Sequence, residues 1–410
     1  MTHTSNQPSD APQARPTSMI KRSIAPDLAR GFMLLLIAVA NAPAFLWGVD
    51  VGDIGYHPAE GILADRVAQT IAIVAIDARV YPMFAFLFGY GIIQLYRRQT
   101  DAGVLPQRAR QLLRRRHLWM IAFGLVHAVL LWYGDVVGAY GLAGLLLVWI
   151  FLDRKPTTVK VWVILLTALL AVVTLVTMLS ATFLSGAAPE ADPIPNPNAE
   201  PQPIAAAILR TVLWASYLPV TLAGLVVPIS ILIAFLVAQH RALEQPAQHV
   251  RLLRWSAAVG ITIGWGTGLI LALQNLDVWG LGREADLIFS PLHSFGGLFG
   301  GLGYVALFGL IAMRLERTQN TRPDGAAQKA AGALQAVGKR SLSFYLAQSV
   351  FFAPLMSAWG IGLGAHLSSW SIAVVAVGIW LITVALAAVL EKRRRRGPAE
   401  WALRRLMYAA

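Results

Sequence analysis

The chain has 410 residues, of which 57% are hydrophobic and 13% are charged, and its mean hydropathy is +0.59. A soluble domain has about 45–50% apolar and about 25% charged residues, so this composition excludes a soluble enzyme, a disordered chain and a nucleic-acid-binding domain. The absence of cysteine excludes disulfides, thiolate metal sites, iron–sulfur clusters and cysteine nucleophiles.

Three regions are predicted along the chain. Residues 1–26 are polar and contain proline, which predicts a disordered cytoplasmic tail. Residues 27–391 contain ten apolar runs, and since a membrane helix needs about 20 apolar residues, they predict a single all-α transmembrane domain. Residues 392–410 predict a basic cytoplasmic tail. The predicted spans are 28–48, 79–96, 117–134, 136–152, 159–184, 208–238, 253–274, 291–313, 341–359 and 368–390, with 67–76 as an interfacial or re-entrant piece, 185–203 as a flexible outside loop and 314–340 as a linker.

The distribution of charge predicts the orientation. With the N-terminus inside, the inside segments hold 30 of the 34 Lys and Arg residues, and the outside segments hold four. Because loops rich in Lys and Arg stay on the cytoplasmic side, both termini are predicted to be cytoplasmic. The net charge of +13 then reflects topology and contact with anionic lipids at the inner face, and no nucleic-acid partner is predicted.

Glycines recur at four-residue spacing in the seventh and eighth predicted spans. This spacing lets helices pack closely, either within one bundle or between copies of the chain, so a homo-oligomer remains open. The glycines are Gly260, Gly264 and Gly268, Gly296 with Gly300, and Gly297 with Gly301.

Polar side chains at the ends of the first two spans are candidate site residues. A charge at the centre of a membrane helix costs about 2.5–3.5 kcal/mol of insertion free energy, so an ionisable residue within a span is a candidate functional residue. Asp27 and Arg30 share a helix face and form either an interfacial ion pair or the entrance of a cofactor site. Asn41 either joins neighbouring helices through hydrogen bonds or donates a hydrogen bond to a developing oxyanion. Asp77 and Arg79 are expected to lie close to the Asn41 end of the first helix.

Three histidines are candidates for chemistry. His127 lies in the third span and Asp135 follows eight residues later. A carboxylate that orients a histidine suits general-base catalysis, although a structural histidine bonded to a neighbouring helix is the alternative. His57 lies in the first outside loop among acidic residues, where the spacing fits no metal motif, and no metal is predicted. His293 begins the eighth span and is a second candidate to line an outer cavity.

The ninth predicted span begins with the unusually polar sequence GKRSLSFYLAQS (338–349). Lys339 and Arg340 mark the cytoplasmic side. The polar residues that follow exceed what helix packing requires, and they predict a lined cavity. These residues are Ser341, Ser343, Tyr345, Gln348 and Ser349.

Five segments together carry a resemblance to a known family. They are DLARGFMLLLIAVAN (27–41), YPMFAFLFGYG (81–91), GLVHAVLLWYGDVVGAYGLAGLLL (124–147), GKRSLSFYLAQS (338–349) and RRGPAEWALRRLMY (395–408). With these segments the chain resembles the YeiB-like bacterial inner-membrane proteins that carry a domain of unknown function 418. That family looks related to transmembrane acyltransferases, which include the lysosomal heparan-α-glucosaminide N-acetyltransferase and bacterial O-acyltransferases.

The resemblance implies transfer of an acyl group, first of all acetyl, from cytoplasmic acyl-CoA to a small-molecule or glycan acceptor at the outer face. Asn41 matches the asparagine that ends the Asp-x-x-Arg-Gly helix of the acetyltransferase, whose catalytic histidine follows shortly afterwards. Here His57 is the first histidine after Asn41. In the YeiB-like pattern His127 with Asp135 is the match, so two histidines compete for the role of base.

On this hypothesis the donor binds at the inner face and the chemistry occurs towards the outer face. His127, steadied by Asp135, is expected to take a proton from the acceptor, and Asn41 to stabilise the tetrahedral oxyanion. Two other functions stay open, a transporter or exporter of a small metabolite and a non-catalytic membrane scaffold. The residues predicted to bind acyl-CoA are Asp27, Arg30, Lys339, Arg340, Ser341, Tyr345 and Gln348, with the arginines of 114–116 beside them.

Overall fold

A computed structural model of the protein describes residues 24–50, 57–59, 61–184, 195–281, 285–319 and 325–409. Residues 1–23 of the predicted tail and 185–194 of the predicted outside loop lie outside these ranges. Over the described residues the chain is helical and forms no β-sheet, which confirms the predicted all-α class. The helices are α1 (Ile24–Asn41), α2 (Leu63–Ala75), α3 (Val80–Asp101), α4 (Pro106–Leu130), α5 (Val136–Phe151), α6 (Pro156–Leu184), α7 (Pro203–Ala223), α8 (Val226–Gln239), α9 (Val250–Asn275), α10 (Asp286–Gln319), α11 (Ala326–Gly338), α12 (Ser341–Met356), α13 (Ser369–Lys392) and α14 (Pro398–Tyr408).

Each predicted apolar run falls on helical structure. Seven helical stretches of the described chain are long and apolar enough to cross a membrane, by length and composition. α5, α8 and α12 are apolar but shorter. α4 begins with an arginine-rich stretch, so the predicted span 117–134 corresponds mainly to its second half. The short apolar segment 67–76 lies mostly in α2, and a turn at 76–79 separates it from α3.

The bundle has central and peripheral helices. α1, α3 and α10 are central, since most of their apolar residues are buried by other helices. Leu34 of α1, Met83 of α3 and Ala312 of α10 are fully buried. α6, α7, α9 and α13 are peripheral and expose leucine and valine side chains. A helix that is apolar on every side, with one side exposed, is typical of contact with lipid.

The predicted span 208–238 is not one continuous helix. α7 and α8 are separated by Gly224 and Leu225, and Leu225 adopts a left-handed conformation with φ of 62°. Pro219 lies in the last turns of α7, where it removes a backbone donor, and glycine often ends a helix. The apolar run is uniform across this point, so hydropathy alone predicted one element where the structure has two.

Two segments predicted as a linker and a tail contain helices that pack on the bundle. The predicted linker 314–340 contains α11, which crosses α1 so closely that a Cβ at Gly31 would lie 2.0 Å from the carbonyl oxygen of Leu334. The predicted C-terminal tail 392–410 contains α14, which packs on α4 and α12. Both helices are short and carry polar residues, so hydropathy did not distinguish them from solvated connections.

The contact between α9 and α10 confirms the predicted packing role of the glycines. A Cβ at Gly264 would lie 2.7 Å from the Cα of Gly300, and a Cβ at Gly260 would lie 2.4 Å from the carbonyl oxygen of Phe299. Both distances are shorter than van der Waals contact. The two backbones therefore approach to a distance that only glycine permits.

Gly264→Leu is expected to lower the stability of the protein, because the added side chain has no space beside α10. Overpacking of this kind costs about 1–3 kcal/mol and occasionally more. Thermal unfolding of the detergent-purified protein measures the effect. Gly266→Leu is the matched control on the same helix, since nothing lies within 4 Å of a Cβ at Gly266. Equal losses in the two variants would contradict this assignment.

Candidate functional site

Among the described residues, one cavity lies towards each end of α1. The first has a volume of about 250 Å³ and is lined by the start of α1, by α3 and by α14. We call it the basic cavity, after Arg30, Arg116 and Arg404. The second has a volume of about 400 Å³ and is lined by the end of α1 and the turn between α2 and α3. We call it the histidine cavity, after His57 and His293.

The basic cavity has an excess of positive charge. Its lining contains five cationic side chains and two carboxylates. Arg116 lies over the ring of Phe88, with its Cζ 5.1 Å from the ring centroid. The Nη1 atom of Arg116 is buried and has no hydrogen-bond partner among the described residues. A buried guanidinium donor beside other cations favours an anionic ligand. The five cations are Arg30, Arg98, Arg116, Lys339 and Arg404.

α14 forms one wall of the basic cavity. The carboxylate of Glu400 accepts hydrogen bonds from the backbone N–H of Leu342 at 2.8 Å and of Ser343 at 3.1 Å, so it caps α12 and joins the two helices. Burial raises the pKa of the Tyr408 phenol above its ordinary value, which keeps the hydroxyl a donor at neutral pH. Sequence reasoning missed Arg404 and Tyr408. The sequence feature that could have identified them is their helical spacing. The residues that line the cavity share one helix face, at positions 400, 403, 404, 407 and 408.

The structure brings most of the predicted acyl-CoA residues to the basic cavity and places two elsewhere. Arg340 is fully buried and donates to the carbonyl oxygen of Arg395 at 2.6 Å and to Glu391 at 2.7 Å, so it anchors the chain that leads to α14. Gln348 donates to the carbonyl oxygen of Leu34 at 3.0 Å and joins α12 to α1. The predicted residues that line the cavity are Asp27, Arg30, Lys339, Ser341 and Tyr345, and Arg116 from the run 114–116.

Two of the cations in this lining are also engaged in ion pairs. Arg30 donates to Asp27 at 3.1 Å and to the carbonyl oxygen of Leu87 at 3.1 Å, which joins α1 to α3. Lys339 donates to Glu391 at 2.7 Å. Both cations are therefore held in defined positions at the cavity wall, where less side-chain entropy is lost when an anion binds.

The histidine cavity brings together side chains from distant parts of the sequence. Nε2 of His57 lies 2.8 Å from a carboxylate oxygen of Asp77, and Asn41 lines the same cavity. This confirms the prediction that Asp77 lies near the Asn41 end of α1. His293 also lines it, as predicted, and its Nε2 lies 3.1 Å from Nη1 of Arg79. Among the described residues, no three His, Asp or Glu side chains are arranged to hold a metal ion.

The turn between α2 and α3 places Asp77 at the histidine cavity. Ala78 has a positive φ of 59°, which interrupts the helix. Arg79 is fully buried and donates to the carbonyl oxygens of Ile73, Asp77 and Gly264. An unpaired backbone group in an apolar bundle costs several kcal/mol, so Arg79 stabilises the interruption and fixes the position of Asp77.

His127 and Asp135 form a buried pair outside both cavities. Nδ1 of His127 lies 2.8 Å from Oδ1 of Asp135, as their spacing suggested. Oδ2 of Asp135 accepts a hydrogen bond from the backbone N–H of Gly138 at 2.6 Å and caps α5. Neither His127 nor Asp135 is among the described residues that line the basic cavity or the histidine cavity. Nε2 of His127 is buried without a hydrogen-bond partner among the described residues, and the histidine–carboxylate pair that lines a cavity is His57 with Asp77.

A thin layer of side chains separates the two cavities. Phe84 lines both of them, and its ring stacks on Tyr140 with the centroids 4.9 Å apart. The Tyr140 hydroxyl donates to the carbonyl oxygen of Tyr81 at 2.8 Å. Val136 lines the histidine cavity and Val137 lines the basic cavity. The two cavities are therefore neighbours, with Phe84 in the lining of both.

The fold and the site define a helical membrane protein with two adjoining internal cavities, and its sequence is similar to bacterial proteins. Residues 237–410 match the family described as Protein of unknown function (DUF418). Uncharacterized protein YeiB of Escherichia coli (strain K12) is 25% identical in an alignment of 419 residues, and this alignment covers 95% of this chain and 97% of YeiB. Uncharacterized protein YxaH of Bacillus subtilis (strain 168) is 23% identical over 360 residues, which cover 84% of this chain and 83% of YxaH. No solved structure shows significant similarity to the chain.

Proposed function

We propose that the protein is an acyltransferase of the bacterial inner membrane that moves an acyl group, first of all acetyl, from cytoplasmic acyl-CoA to a small-molecule or glycan acceptor at the outer face. The observation that carries the proposal is the pair of adjoining cavities, one basic and one with a histidine–carboxylate pair. Because Lys and Arg mark the cytoplasmic side, the basic cavity faces the cytoplasm. Donor and acceptor then meet at the layer between the cavities.

The basic cavity suits the donor. Guanidinium groups bind phosphate through charge-assisted hydrogen bonds, and Arg116 offers a buried donor that has no protein partner in the described chain. Arg30 and Arg404 line the same space. The apolar side chains of α3, Phe84 and Leu87, suit the pantetheine arm and direct the thioester towards the histidine cavity.

The histidine cavity suits the chemistry. With Nε2 donating to Asp77, the lone pair of neutral His57 lies on Nδ1. Nδ1 takes the proton of the acceptor hydroxyl or amine while its oxygen or nitrogen attacks the thioester carbonyl carbon. The amide of Asn41 donates to the oxyanion of the tetrahedral intermediate. The carbon–sulfur bond then breaks, and the CoA thiolate leaves and receives the proton from His57. Direct transfer requires no cysteine, and the chain has none.

Arg116→Ala is expected to weaken acetyl-CoA binding by about 10-fold or more, since a hydrogen bond to a charged group contributes about 1.5–3 kcal/mol. Isothermal titration of the detergent-purified protein with acetyl-CoA measures the affinity. Arg114→Ala is the matched control, because Arg114 is an exposed arginine two residues earlier in α4. The same loss in both variants would show a general charge effect instead of a site. Failure of a well-folded wild-type protein to bind CoA or acetyl-CoA would overturn the acyltransferase proposal.

A second candidate function is the transport of a small metabolite. The observation in its favour is the interrupted helix α2–α3, whose turn lines the histidine cavity through Asp77 and Ala78, because transporters bind substrates at discontinuous helices. A transporter requires neither CoA binding nor His57. Substrate flux into proteoliposomes without acyl-CoA, retained in a His57→Gln variant, would favour transport.

A further inference from the structure

We propose that Phe84 is the barrier between the two cavities and that it restricts the donor to short acyl groups. The inference deepens the proposed function, on which it rests, because it assigns the acyl-length limit of the same site. It depends on three features of the structure, namely the position of Phe84, the support behind its ring and the space around it.

The position of Phe84 is distinctive. Within the part of the chain that the structure describes, it is the one residue that lines both cavities. Phe88 lies one helical turn further along α3 and lines the basic cavity alone. A thioester that approaches His57 and Asn41 from the cytoplasmic side therefore meets the ring of Phe84.

The ring of Phe84 is supported from behind. It stacks on Tyr140, whose hydroxyl is tied to the carbonyl oxygen of Tyr81 on α3. The backbone N–H of Val136 donates to the hydroxyl oxygen of Tyr345 at 3.2 Å, which holds the start of α5 against α12. α3, α5 and α12 thus form a connected frame around the barrier. A ring with an aromatic partner fixed behind it has little room to move aside.

The space on the donor side limits the acyl group. The basic cavity has a volume of about 250 Å³ and must hold the pantetheine arm before the acyl group reaches Phe84. An acetyl group adds one methyl beyond the thioester carbonyl. A longer chain has to fit against the ring of Phe84, and one methylene that is gained or lost in apolar contact changes binding by about 10-fold or more.

The first test compares Phe84→Ala with Phe86→Ala in the full-length purified protein. Phe86 is a buried phenylalanine of the same helix that lines neither of the two cavities. Affinities are measured for CoA, acetyl-CoA and octanoyl-CoA. We expect the wild-type protein to bind acetyl-CoA at least about 10-fold more tightly than octanoyl-CoA. Phe84→Ala should reduce this preference by about 10-fold or more, and Phe86→Ala should retain it. Phe84→Leu provides a milder version of the change if the alanine variant folds poorly.

The outcomes separate the inference from the function. If the wild-type protein binds no CoA compound, the proposed function fails. If it binds CoA and acetyl-CoA but accepts octanoyl-CoA equally well, the acyl-length limit is wrong and the acyltransferase proposal stands. If Phe84→Ala and Phe86→Ala change the preference equally, Phe84 is not the barrier.

The second test needs no acyl-CoA. The native chain contains no cysteine, so a single introduced thiol reports its own accessibility. Val136 and Val137 are adjacent in sequence and line different cavities. In oriented vesicles, a membrane-impermeant thiol reagent should label Val136→Cys from the outer side only and Val137→Cys from the cytoplasmic side only. Adding Phe84→Ala should make each thiol accessible from both sides. Labelling of both single variants from the same side would overturn the barrier.

Discussion

His57→Gln is expected to lower the rate of acyl transfer by about 10²–10⁴-fold, the usual contribution of a general base, with little change in acetyl-CoA binding. Glutamine preserves a polar side chain but cannot take up the proton of the acceptor. Binding should persist because the cations that hold the donor line the basic cavity, whereas His57 lines the histidine cavity. Release of CoA from acetyl-CoA by the reconstituted protein, with glucosamine and water as probe acceptors, measures the rate.

His127→Gln is the matched control for this prediction. The substitution is the same and the residue is also paired with a carboxylate, but the pair is buried outside both cavities. We expect a lower unfolding temperature and a nearly unchanged rate per folded molecule, since the loss leaves Asp135 without one of its buried partners. A folded His127→Gln variant that binds acetyl-CoA but has no transfer activity, beside an active His57→Gln variant, would make His127 the base.

Arg79→Met is expected to destabilise the protein by about 3 kcal/mol or more. The guanidinium satisfies the carbonyl oxygens of Ile73, Asp77 and Gly264, and each buried acceptor left without a partner costs about 1–3 kcal/mol. Methionine retains the apolar volume, so the loss reports the hydrogen bonds more than the packing. Thermal unfolding in detergent measures it.

Arg66→Met is the control for the buried arginine. Arg66 lies on α2, one element earlier, and its side chain is exposed, so removal of its charge should change stability by about 0.5 kcal/mol or less. If Arg79→Met melts at the temperature of Arg66→Met, the interruption between α2 and α3 does not depend on Arg79. The position of Asp77 beside His57 would then need another cause.

The long helices of this protein could be predicted from hydropathy because a membrane-spanning segment needs a continuous apolar run and satisfies its backbone hydrogen bonds within itself. The long apolar runs all correspond to helices. The errors occur where hydropathy carries no information. Leu225 interrupts a uniformly apolar run through its backbone conformation, and α11 and α14 look polar although each packs on the bundle.

The candidate site was partly predictable for a similar reason. Residues at helix ends can be assigned to one side of the membrane from charge, so the sequence placed Asn41, Asp77 and His293 at one end and Arg30 and Lys339 at the other. What cannot be assigned in this way is the direction of a side chain. Arg340 lies beside Lys339 but turns into the protein to hold the chain before α14.

Sequence by itself determined the all-helical membrane class, the close packing at glycines of four-residue spacing, and the polar residues available for chemistry. These are local properties, set by composition and by helical period. Only the tertiary structure decided that His57 pairs with Asp77, that His127 lines neither of the two cavities, and that Phe84 lines both. Such relations join residues across an interrupted helix or between helices, and they depend on how whole elements pack in three dimensions.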